Sequence, residues 1–159
     1  MVSVKDDPQV HRRRSIRLAG YDYSQTGAYF ITICTHNRAL FLQTEGVQEA
    51  ACSVWHDLPA RFPTVALDEF TVMPNHIHGI IFLMGAASSA PTLGKVIRAF
   101  KSISAIEANK AVNRSGQPFW QRSYYEHIIR DEDELHALRQ YIRDNPLKWD
   151  EDRDNPSNL

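Results

Sequence analysis

Two strand-like runs, 65–73 and 76–83, are separated only by Pro74-Asn75. Both runs are rich in β-branched and aromatic residues, and the dipeptide between them suits a hairpin-like junction. This commits the middle of the chain to an antiparallel pair. The second run opens with His76-Ile77-His78. Side chains alternate along a strand, so His76 and His78 share one face and Ile77 points to the other. Two imidazoles a few ångströms apart can grip one metal ion. A bare His-x-His is more often a pair of half-exposed strand histidines, so the signal needs a partner elsewhere.

Residues 140–146, Gln-Tyr-Ile-Arg-Asp-Asn-Pro, offer one. On a helix, Tyr141 and Asn145 are spaced by four and lie on one face. A tyrosine here is ordinarily a border-of-core residue beside Leu138 and Ile142, and Asn before Pro is a common helix ending. Next to a metal, a phenol can serve as a nucleophile and a carboxamide oxygen as a hard ligand for magnesium or manganese.

The rest of the pattern sets the plan. Residues 27–35 read as a first strand, closing in the polar tip His36-Asn37-Arg38. Residues 47–62 carry apolar positions at spacings of three and four, a helix closed by Pro59 and Pro63. Small polar residues 85–92 make a loop, and Thr92 caps a helix over 93–112 whose apolar positions include Val96, Ile97, Phe100, Ile103 and Ile106. Lys95, Arg98, Lys101 and Lys110 fall on its outer face, a solvated surface or a groove for a nucleic-acid backbone. Residues 119–130 are aromatic-rich and predict a fourth strand. The acidic run 131–134 fits the first turn of a last helix, with Leu135, Leu138 and Ile142 as its buried stripe. The order β-α-β-β-α-β plus a helix predicts an α+β, ferredoxin-like sandwich: a four-stranded antiparallel sheet, helices on one face, and a C-terminal catalytic helix.

At 159 residues one domain is expected, spanning 1–159, with 1–10 and 147–159 as flexible ends. No apolar run is long enough to span a membrane and the N-terminus lacks an apolar signal core, so a cytoplasmic protein is expected. Cys34 and Cys52 stand alone, which argues against a cysteine-based zinc site. The net charge of −1 hides an asymmetry: 13 Lys/Arg against 9 Asp/Glu up to Tyr125, then 5 against 10. A partner that is a nucleic acid would have to meet the basic part, notably the arm with Arg12, Arg13, Arg14 and Arg17.

Read together, MPNHIHGII, FWQRSYYEHIIRDEDEL and YIRDNP, with the opening RRRSIRLAGYDYSQTGAYFITICTHNR, resemble the REP-associated tyrosine transposases. These are single-tyrosine members of the HUH nucleases, named for His, a bulky hydrophobic residue, and His. The resemblance covers residues 12–156 and implies cutting and joining of single-stranded DNA at hairpin-forming REP repeats with Mg2+ or Mn2+. It implies His76 and His78 as metal ligands and Tyr141 as a nucleophile that leaves a 5′-phosphotyrosine and a free 3′-hydroxyl. Asn145 falls where related insertion-sequence transposases carry a glutamine ligand. Arg12, Arg13, Arg14, Arg17 and Arg38 become candidate DNA contacts, and the protein would be a monomer or homodimer. One departure is the segment between Leu42 and Val47, which is short relative to the family pattern. Two other readings remain: a hairpin-binding module without catalysis, and a zinc hydrolase using His127 as a third imidazole.

Overall fold

The computed structural model describes residues 27–84, 91–152 and 155–158. Four strands, β1 (Gly27–Cys34), β2 (Val65–Met73), β3 (His76–Leu83) and β4 (Tyr125–Ile129), form one sheet in the order β2-β3-β1-β4. Every neighbouring pair is antiparallel. The expected α+β architecture with a four-stranded antiparallel sheet is the one observed.

Strand parity divides the core in two. On one face Tyr29, Ile31 and Ile33 of β1 and Ile77 and Ile81 of β3 pack under α1 (Glu45–His56) and α3 (Leu93–Ala111). Trp55 and Phe100 fill the middle of this layer and meet edge to face at 5.5 Å. Gly79 is glycine for a local reason. A Cβ there would sit 2.4 and 2.5 Å from the Trp55 indole, which lies directly on the β3 backbone. On the other face a smaller cluster of Phe30 and Ile80 packs against Leu138 and Ile142 of α4 (Glu132–Asp144). With both faces covered, β1 and β3 are buried along most of their length.

The element boundaries differ from the pattern in instructive places. The expected helix over 47–62 is two pieces, because α1 stops at His56 and α2 (Leu58–Arg61) restarts after Asp57. Pro59 has no N–H to continue the α1 ladder but is well suited to a first turn. Helix α3 starts as expected, with the Thr92 hydroxyl accepting from Lys95 N, yet Ile106 is exposed, not buried. The expected strand over 119–130 is a single bridge, Thr35 to Trp120, followed by β4 from Tyr125 only. Trp120 stays paired at that bridge while its indole N–H donates to Ser104 Oγ at 2.9 Å, and beyond it the carbonyls of Gln121 and Arg122 accept from Lys101 Nζ. Asp131 caps α4 by accepting from Glu134 N at 2.8 Å.

Strand β2 is interrupted by a bulge that faces the last helix. Leu67 pairs with Ile81 and Phe70 with Gly79, so Asp68 and Glu69 together oppose one residue of β3. Strict alternation would send these two carboxylates to opposite faces; the extra residue turns both toward α4. After α4, Asn145–Glu151 forms a 3-10 helix against β2, where the sequence suggested a loose end. Trp149 faces His76 from this segment, and Asn155 Nδ2 closes back on the Trp149 carbonyl at 3.0 Å.

Candidate metal and tyrosine site

His76 and His78 are both buried, on the α4 side of β3. Their Nε2 atoms are 3.2 Å apart. Two donors each about 2.1 Å from one ion at right angles stand about 3.0 Å apart, so this spacing fits a shared cation. The outward nitrogens are held. Asn75 Nδ2 points to the Arg38 carbonyl, which leaves Asn75 Oδ1 to accept from His76 Nδ1 at 2.8 Å. That assignment puts the His76 proton on Nδ1 and bares its Nε2. Thr32 Oγ1 meets His78 Nδ1 at 2.8 Å and can accept from it in the same way. Thr32 and Asn75 are the residues that sequence reading missed here. Thr32 sits across the ladder from His78, a pairing no local pattern announces, and Asn75 reads simply as a turn residue.

Tyr141 comes to this pair from the chain's own helix. Its ring is 5.3 Å from the His78 ring and 5.9 Å from Phe30, both edge-on. Two guanidinium clasps hold α4 in place on either side of it. Arg139 donates from Nε and Nη2 to Asp68 Oδ2 at 2.8 and 2.5 Å, and Arg143 donates likewise to Glu69 Oε1 at 2.9 and 2.6 Å. The β2 bulge is what makes both partners available at once.

The other expected residues are placed as follows. Asn145 is buried one turn beyond Tyr141, and its Nδ2 donates to the Tyr141 carbonyl at 3.4 Å, leaving Oδ1 as its acceptor. Asp152 brings a carboxylate oxygen to 4.0 Å from His76 Nε2. Among the described residues no three His, Cys, Asp or Glu side chains converge on a point. The pair therefore offers two imidazole nitrogens, with a carboxylate oxygen of Asp152 4.0 Å from one of them, and a hard divalent ion there would need further oxygen ligands. Cys34 lies across from His76, but burial pushes its thiol up to about 11, with Arg38 opposing and Asp152 reinforcing the shift. It is no thiolate at neutral pH. His127 is not the third imidazole, because its Nε2 is taken by Glu134 of α4. Arg38 and its neighbour Asn37 both adopt left-handed backbone, φ 54° and 53°, at the rim beside Asn75. Arg12, Arg13, Arg14 and Arg17 lie outside the described residues.

A four-stranded antiparallel sheet with paired imidazoles on one strand and a phenol laid over them defines the α+β fold of the IS200-like transposases. By its sequence the chain belongs to the IS200-like transposase family, whose model matches residues 24–145. An uncharacterized protein of Haemophilus influenzae is 35% identical over 96% of this chain and 98% of its own length. A second protein of that organism, named "Putative REP-associated tyrosine transposase", is 26% identical over 80% of this chain and 74% of its own. Among solved structures, a REP-associated tyrosine transposase bound to a REP hairpin superposes with a TM-score of 0.60 at 22% identity, over 84% of this chain and 74% of that one. A transposase-like protein of Deinococcus radiodurans superposes at 0.54 with 21% identity, over 81% and 96%. Both share the fold. No helix among the described residues is long and apolar enough to cross a membrane.

Proposed function

We propose that this protein cuts and rejoins single-stranded DNA beside REP-type hairpins through Tyr141, with magnesium or manganese held by His76 and His78. The observation that carries the reading is the Tyr141 ring lying against His78 in the same chain, beside two imidazoles whose Nε2 atoms converge. The partner is suggested by the relatives, one named for REP sequences and one solved with a REP hairpin.

A phenol with an ordinary pKa of about 10 is a weak nucleophile until its proton is removed. The phenolate oxygen then attacks phosphorus in line. A bond from tyrosine to phosphorus forms as the bond from phosphorus to the 3′-oxygen breaks. That oxygen takes up a proton and leaves as a 3′-hydroxyl, while the other strand end stays on the protein as a 5′-phosphotyrosine. Attack by a different 3′-hydroxyl reverses the step and joins strands. His76 and His78 would hold the ion, Asn75 and Thr32 orient the two rings, and Asn145 offers a carboxamide oxygen. The ion, when bound, polarises the phosphate and offsets charge in the transition state. The clasps from Arg139 and Arg143 keep the phenol over the pair.

The test is incubation with end-labelled, hairpin-bearing single strands, with and without magnesium or manganese, followed by a denaturing gel. A metal-dependent adduct that survives denaturation is expected, and Tyr141→Phe removes it completely. An adduct that persists in that variant refutes Tyr141 as nucleophile. Hairpin binding with no cleavage in any divalent metal puts the binding-module reading in its place.

A further inference from the structure

The stretch between Trp120 and β4 bulges from the sheet, since the pairing changes register between Thr35–Trp120 and Thr32–Tyr125, and Lys101 binds its carbonyls. Lys101 Nζ donates to Gln121 O at 2.5 Å and to Arg122 O at 3.0 Å, tying the stretch to α3. Between α3 and residues 117–124 the tie leaves a cleft of about 550 Å³. Gly94, Ser102 and Ala105 keep the helix wall low. Arg98 stands on that wall and Arg122 on the one facing it, both exposed. Neither makes an ion pair among the described residues, and no described carboxylate lines the cleft. Burial pushes the Lys101 ammonium down to about 8, which still leaves it charged at neutral pH. Three cations with no counter-charge converge on one concave surface.

We propose that this cleft seats the phosphate backbone of a hairpin's duplex stem, on the far side of the sheet from the tyrosine. The inference rests on the DNA-cutting reading above and adds where the substrate's double-stranded part is held. Arg98 and Lys101, three residues apart on one helix, are offset by about 4.5 Å along its axis, comparable to the about 3.4 Å rise per nucleotide of one strand. Three aromatic rings line the cleft: Phe119 and Trp120 are buried, 2% and 7% exposed, and Tyr124 is half-buried against the core, so none stands fully open for stacking unpaired bases. Cations without a stacking platform suit a backbone, not splayed bases. Strand β4, the sheet edge, separates the cleft from the tyrosine face. A single strand leaving the stem rounds that edge to reach His76 and His78.

The test is fluorescence anisotropy of the full chain in EDTA, across a salt series, with a stem-loop lacking flanks and with the flanking single strand alone. Arg98→Ala and Arg122→Ala each weaken stem-loop binding by about tenfold at moderate salt, and the double variant lowers the slope of log K against log salt by about two. Arg98→Lys keeps the slope, and flank-only binding is unchanged in all of them. Both arginines are exposed, so circular dichroism of the variants stays that of the parent. If the parent binds the stem-loop and the double variant matches it in affinity and slope, or if the loss falls on the flank alone, the cleft assignment is overturned while the DNA reading stands. A parent that binds no hairpin overturns both.

Discussion

The two faces of the sheet are built on different principles. Under α1 and α3 lies a deep apolar layer in which Trp55, Phe100, Tyr29, Ile31, Ile33, Ile77 and Ile81 are completely sealed. Under α4 the apolar cluster has four buried side chains edged by partly buried ones such as Phe82, Ile129 and Leu135, and beside it lie two imidazoles, a phenol and two guanidinium–carboxylate clasps. The first face supplies stability in bulk, because burial is non-directional and scales with area. The second supplies alignment, because its contacts are few and directional. Damage to the first should unfold the chain, and damage to the second should leave a folded chain with a misplaced tyrosine.

Substitutions can break or sharpen this division. The largest stability loss is expected for Trp55→Ala, about 3–5 kcal/mol, read from urea denaturation; a loss below about 1 kcal/mol would show that the α1–α3 layer does not dominate. Next comes Gly79→Ala, whose new methyl collides with the Trp55 ring and is expected to cost about 1–3 kcal/mol by the same measurement. Arg139→Ala acts on the other face. Its partly exposed pair contributes about 1 kcal/mol or less to stability, yet covalent adduct formation should fall several-fold at saturating DNA, with DNA affinity unchanged. The exchange Arg139→Asp with Asp68→Arg should restore adduct yield if the clasp positions α4, and should not if Arg139 acts otherwise. The mildest effect is expected for Asn145→Ala, which should weaken Mn2+ binding followed by calorimetry while leaving the denaturation midpoint nearly in place.

Much of this was legible from periodicity. A period of two put His76 and His78 on one face, and a period near 3.6 gave α3 and α4 and their stripes. Acidic residues 131–134 were readable as a helix start because Asp131 caps by local geometry. The bulge was not readable. Asp68-Glu69 looks like any polar pair in a strand, and only the register against β3 shows both turning to one side. The interruption of the fourth strand was hidden for the same reason, since it lies in a register change against β1 whose free carbonyls are met by Lys101, twenty residues away. His127 looked available to a metal until Glu134, brought round by the following helix, occupied it. Local spacing reports faces, whereas partners chosen across the fold leave no mark in it.

The clasp on the β2 bulge has an evolutionary corollary. Its two acidic residues are adjacent in the gene and lie at the rim, outside the sealed interior. A single codon change there can loosen the hold on α4 without burdening the host with a misfolded product. A lineage restraining such a protein, or recruiting it for another duty, would find in that pair a ready means of turning it down, and one further codon change would reverse it.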